Sequence, residues 1–457
     1  MRTLIKDGHL IDPANKKNGK FDLLINKGKI EAVEPKGKLK DIADLKIIDA
    51  QGAIVAPGFC DMHVHFREPG HEYKETIQTG SQSAAAGGFT TVAVMPNTSP
   101  VNDNRSVTDF ILTQAKETSN INILPIGAIT KGLKGEALSD MGELKEAGCI
   151  GYSDDGRPVS DSEIMRRALE YSKMFDLPCI QHSEVLALTE GGSMNEGVVS
   201  TELGLKGMPT EAEDIMVHRD ISLLPKTGGR LHVAHISSGG SVDLVRQAKK
   251  KGLPVTCEVA PHHFTLTHEA CRGYNTNAKM SPPLRTDSDL ELIQEGMRDG
   301  TIDIIATDHA PHDLVDKQVE FSKACFGIVG LETALPLTLK MVDKKIISLE
   351  KAIDMLTFQP NRIFGLDKGT LGVGKAADIT LFDHRKEYKD NLILKILYHL
   401  IFLIPCFIIT SAEHMYKDLK STPRVVWTVL AIEMALIFVY FIAPVITKAF
   451  FTTNLLN

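Results

Sequence analysis

The sequence predicts an α/β protein: a (β/α)8 TIM-like barrel, a small composite β domain from both flanks, and an atypical apolar helical C-terminal tail. Three observations predict it. Between residues 57 and 367, eight short apolar runs recur, each followed by a polar turn and a helical stretch. Strands that alternate with helices pair in parallel, and eight such units over roughly 310 residues close into a barrel. Residues 1–56 and 368–386 alternate apolar and polar positions around Asp-Gly and Lys-Gly turns, the pattern of short strands. Residues 387–457 hold two long apolar runs unlike anything before them.

Taken in order, TLIKDGHLID, FDLLINKGKIEAVE and KIIDAQGAIV read as an antiparallel unit, to which KGTLGVGKAADITLFD returns from residue 368. The barrel runs are GFCDMHVHF, FTTVAVMPN, INILPIGAIT, GCIGYSDD, LPCIQHSE, LHVAHIS, LPVTCEVAPHH and IDIIATDHAPH. Six of the eight carry His or Asp at or near their ends; the other two end in Asn97 and Thr130. Barrel active sites lie at the C-terminal ends of the strands. In the tail, 396–410 and 425–447 approach the roughly 20 apolar residues needed to cross a bilayer. A membrane hairpin, tethering a cytoplasmic enzyme body to the inner membrane through 391–447, is the favoured reading. A helical pair packed on the barrel or on a second subunit is the alternative, because Glu433 is expensive in lipid.

Of the 457 residues, 43% are apolar and 24% charged, which excludes a mainly disordered or fibrous chain. A net charge of −7 gives no reason to expect nucleic acid as a partner. The start, MRTLIKDGHLID, lacks the apolar core and cleavage site of a secretory signal. Seven cysteines are scattered and never spaced CxxC, which fits a reducing compartment and disfavours disulfides or a thiolate zinc site.

The histidines carry the chemistry. His63 and His65 end the first run two residues apart, so both imidazoles share one face and can reach one metal ion. On their own they are a weak signal and read more readily as a buried, hydrogen-bonded pair. His182, His235 and Asp308 end runs five, six and eight. Four imidazoles and a carboxylate on one rim are costly to desolvate without a cation. The donor types suit Zn²⁺, with Mn²⁺, Co²⁺ and Fe²⁺ as alternatives. Five ligands exceed what one catalytic zinc takes, so a second metal and a bridging anion are implied. Asp154 and Asp155, ending run four, both qualify as the bridge.

The motifs PGFCDMHVHFREPG, GGFTTVAVMPNTSP, GYSDDGRP, VAHISS, EVAPHH, IATDHAPH and FGIVGLETALPL closely resemble dihydroorotase of the bacterial type, within the amidohydrolase superfamily. The resemblance runs from residue 1 to about 386. It implies one or two zinc ions per subunit. His63, His65, Asp155 and Asp308 would hold one and Asp155, His182 and His235 the other, so that Asp155 bridges. Run four has no lysine, which sets the chain apart from relatives bridged by a carboxylated lysine. The implied reaction interconverts N-carbamoyl-L-aspartate and dihydroorotate, in pyrimidine synthesis. Asp308 would take a proton from the attacking water and pass it to the leaving ring nitrogen. Implied substrate contacts are His65, Arg67, Asn97, Ser281, His312, Phe326 and Gly327. His309, His262 and His263 are not ligands in the resemblance and read as supporting residues.

The chain departs from the family in three places. Ser281 stands where the family has Asn, and Cys325 stands where Pro usually precedes Phe-Gly. The tail replaces the last β structure of the small domain. Alternative readings are a related hydantoinase or allantoinase, or a non-catalytic scaffold for a transcarbamoylase. The small-molecule substrate is the expected partner, together with a second copy in a homodimer and membrane contact through the tail.

Overall fold

A computed structural model describes residues 2–39, 42 and 44–385. The expected tail, including both apolar runs and the 391–447 tether, lies outside the described residues. Among the described residues no helix is long and apolar enough to cross a membrane.

All eight apolar runs form strands: Phe59–Val64, Phe89–Val94, Asn122–Pro125, Tyr152–Ser153, Cys179–Gln181, Leu231–Val233, Val255–Val259 and Ile304–Ile305. Neighbours pair in parallel. Two bridges, Gly127 with Tyr152 and Val64 with His309, complete the ring. The strands are shorter than the runs that predict them, because the chain leaves the ladder at the end that bears the histidines. His65, Asp155, His182, His235 and Asp308 all lie just past the ends of their strands, on one rim.

Side chains on the outer faces of the strands, among them Phe59, Phe89, Val92 and Val94, pack with Ile111, Met165, Val217 and Val242 of the surrounding helices. Each such burial contributes about 1.5–3 kcal/mol relative to exposure. A second cluster holds Cys60, Met62, Ala93, Met95, Ile126, Ile180 and Ile304 with Phe364. Several helices start on side-chain caps. Thr76, Asn104, Asp161 and Thr286 each accept from a backbone N–H of the first turn, satisfying donors a helix start leaves unpaired.

The flanking β unit is mixed, not antiparallel as the sequence suggests. Arg2–Asp12 pairs antiparallel with Lys17–Asn26, but Leu45–Asp49 and Ile54–Pro57 both run parallel to it. The physical reason is its length. Residues 2–6 take one parallel neighbour and residues 9–10 the next, with the register slipping between Ile5 and Gly8. A Cβ at Gly8 would lie 2.4 Å from Val55 Cγ2, so glycine permits this crossing. Ile379–Phe382 pairs antiparallel with Ile54–Pro57, bringing the two flanks of the sequence into one sheet.

Candidate metal centre and substrate cavity

Six of the side chains singled out by sequence meet at the rim. Asp155 divides its carboxylate between two sets of histidines. Its Oδ2 lies 3.4 Å from His63 Nε2 and 3.3 Å from His65 Nε2. Its Oδ1 lies 3.3 Å from His235 Nε2 and 3.7 Å from His182 Nδ1. Asp308 Oδ1 approaches His65 Nε2 at 3.0 Å and His63 Nε2 at 3.5 Å. All six residues are buried. Asp154 faces elsewhere, accepting from the backbone N–H and the hydroxyl of Thr130, so Asp155 is the aspartate of the pair that faces the histidines.

Two of these residues stand on strained backbone: His235 has φ 29° and Asp308 φ 49°, in the region non-glycine residues avoid. Such strain persists where surrounding structure enforces it, and it concentrates at functional sites.

The donor set fits divalent cations. His63 Nε2 is buried yet makes no hydrogen bond. His182 Nδ1 and His235 Nε2 stand 2.9 Å apart and need a proton or a cation between them. Two groups, His63 with Asp155 and His235, and His63 with His65 and Asp308, bring one ligand atom per residue within 4.8 Å of one another. Electrostatics demands positive charge here. Burial pulls His182 down, but Asp155 and Glu184 outweigh it and lift it to about 10. Burial pushes Asp155 up, but His63, His182 and His235 outweigh it and hold the carboxyl well below the usual carboxylate range. Protons or metal ions can supply that positive charge, and a buried nitrogen and oxygen cluster of this kind suits zinc-like ions.

Two supporting residues, Glu258 and Glu184, escaped the sequence reading, and a third, Asn97, gains a second role. Glu258 Oε1 lies 2.5 Å from His63 Nδ1, and its Oε2 lies 3.0 Å from His232 Nε2. Glu184 Oε2 lies 3.2 Å from His182 Nε2. Asn97 Oδ1 accepts from His65 Nδ1 at 3.0 Å, so this residue orients a ligand as well as lining the cavity. Carboxylate or carbonyl partners on the far ring nitrogen hold a metal-binding imidazole in place. A lone Glu inside the apolar run LPVTCEV was the available signal for Glu258.

The centre opens into a cavity of about 790 Å³ lined by His65, Arg67, Asn97, Asp155, His182, Ser281, Asp308, His312 and Phe326. Gly327 is the one expected substrate residue not on its wall. Its N–H donates to Lys279 O, and a Cβ there would lie 2.3 Å from Ala310 O. Arg67 donates from Nε to Pro311 O and pairs with no carboxylate among the described residues. Its neighbour Glu68 instead accepts from Ile77 N–H. His309 and His263 bond Glu75 and Pro282 O, in supporting positions.

A closed parallel barrel with His and Asp ligands converging at its C-terminal mouth defines a metal-dependent cyclic amidohydrolase. Residues 52–241 match the Dihydro-orotase-like family and residues 243–393 the Amidohydrolase family. The chain is 54% identical over 389 residues to a dihydroorotase of Geotalea daltonii, covering 85% of this chain and 91% of that one. It is 55% identical over 389 residues to a dihydroorotase of Geobacter sp. strain M21, with the same coverage. Among solved structures, the L-hydantoinase (dihydropyrimidinase) of Arthrobacter aurescens superposes with a TM-score of 0.74 at 26% identity, covering 82% of this chain and 86% of that one. The chain belongs to the dihydroorotase family.

Proposed function

We propose that this chain is a zinc-dependent dihydroorotase, holding one or two zinc ions per subunit and interconverting N-carbamoyl-L-aspartate and dihydroorotate. The observation that carries the reading is the divided carboxylate of Asp155, with His63 and His65 on one oxygen, His182 and His235 on the other, and Asp308 beside them.

His63, His65, Asp155 and Asp308 would hold one ion and Asp155, His182 and His235 the other. When bound, such ions polarise a carbonyl and acidify a water molecule. The chain's own residues do the rest. Arg67, half-buried on the cavity wall and without a carboxylate partner among the described residues, pairs with the substrate carboxylate, where a guanidinium binds bidentately. Asn97 keeps His65 turned toward the centre. In hydrolysis, water oxygen bonds to the ring carbonyl carbon and the carbon–nitrogen bond breaks. Asp308 accepts the water proton on its carboxylate and delivers it to the departing ring nitrogen. Ring closure reverses each step, with the proton returning through Asp308 to the departing water.

Arg67 favours a carboxylated ring over a plain hydantoin. We also propose that 1–56 with 368–386 form one domain and 57–367 the catalytic one, and that a homodimer is the working unit. The test is a panel of dihydroorotate, carbamoyl aspartate, hydantoin and allantoin offered to purified, zinc-loaded protein. Turnover of the first two is expected. Turnover of hydantoin alone would overturn the reading.

A further inference from the structure

Resting on the proposed dihydroorotase reading, we propose a second, inhibitory site for a thiophilic divalent metal ion at the cavity wall, formed by His312 Nδ1, the Asp316 carboxylate and Cys325 Sγ. Their ligand atoms lie within 4.8 Å of one another, and all three residues are partly open to solvent.

Three observations build the site. His312 Nε2–H donates to Phe326 O at 2.8 Å, so the tautomer leaves a lone pair on Nδ1, aimed at the cluster. A carbonyl on the far nitrogen is how metal-binding imidazoles are held. The cluster already attracts a cation. Lys74 Nζ lies 3.1 Å from His312 Nδ1 and 3.0 Å from Asp316 Oδ2. Cys325 N–H donates to Asp316 O at 3.2 Å, tying thiol and carboxylate segments together. Imidazole, carboxylate and thiolate with an open fourth position suit Zn²⁺ or Cd²⁺.

Binding would expel the Lys74 ammonium into solvent and release the thiol proton, leaving three metal–ligand bonds. His312, Cys325 and Phe326 line the substrate cavity, so an ion held there occupies its wall and competes with the dianionic substrate.

The experiment titrates Cd²⁺ into zinc-replete holoenzyme. The catalytic donors include no sulfur, so ultraviolet thiolate-to-metal absorption that depends on Cys325 reports the second site. Wild type should show it, with inhibition competitive against carbamoyl aspartate. Cys325→Ser should lose the absorption and weaken inhibition roughly tenfold or more, relative to its own uninhibited rate. Lys74→Met should tighten the site. Absorption and inhibition unchanged in Cys325→Ser, no absorption in wild type, or non-competitive inhibition would each overturn the proposal. Absence of turnover before any Cd²⁺ is added would instead reject the dihydroorotase reading, since the absorption needs no turnover.

Discussion

Glu258 and His63 meet beneath the centre, Oε1 to Nδ1 at 2.5 Å, both fully buried. That bond assigns the proton to Nδ1 and leaves His63 Nε2 free for a ligand. The same carboxylate binds His232 Nε2, so one side chain of the seventh strand steadies residues of the first and sixth. Glu258→Gln keeps the shape and removes the charge. Its metal affinity should fall roughly 10–100-fold, the cost of losing a partner behind a ligand. Zinc retained during competition with a chelator measures this; retention equal to wild type would exclude the role.

Asp308→Asn should lower kcat by at least about 10²–10⁴-fold, the range for losing a general acid–base group. The other five donors remain, so bound zinc should persist. Elemental analysis beside the rate assay separates the two effects. An active variant would show that the proton passes elsewhere.

Arg67→Ala should reduce kcat/KM for dihydroorotate by roughly ten- to hundredfold, matching about 1.5–3 kcal/mol for a hydrogen bond to a charged group. The loss should be smaller for a ring lacking the carboxylate. Equal losses on both substrates would mean that Arg67 acts on the fold alone.

Gly327→Ala should be costly because the added methyl has no room. Its Cβ would lie 2.3 Å from Ala310 O and 2.7 Å from His312 Cδ2. Overpacking of this kind costs about 1–3 kcal/mol. The melting temperature should drop, and KM should rise as Phe326 and His312 shift. A variant with wild-type KM would detach this loop from substrate binding.

Much of this was legible along the chain. Periodicity alone located all eight barrel strands, because strands buried on both faces must be apolar almost throughout. The two-residue spacing of His63 and His65 put both on one face, and they share Asp155 Oδ2. Other features were not legible. Asp154 and Asp155 are chemically identical; the resemblance pointed to Asp155, but their surroundings differ only in the fold, where Asp154 bonds Thr130 and Asp155 faces four histidines. Glu184 carries no local pattern that marks it as a partner of His182, and the lone charge in LPVTCEV marks Glu258 as unusual without pointing to His63. The flanking sheet was misread as antiparallel, since alternation records which face is buried and says nothing of strand direction.

By itself, the sequence determined which residue types the protein has at the ends of its strands, and so the chemistry on offer. Tertiary structure decided which of them face one another. Contacts such as Asp155 with His235, 80 positions apart, or His65 with Asp308, 243 apart, arise only when the barrel closes. Closure is a property of all eight strands together, and burial then makes an unpaired carboxylate or imidazole too costly to leave alone.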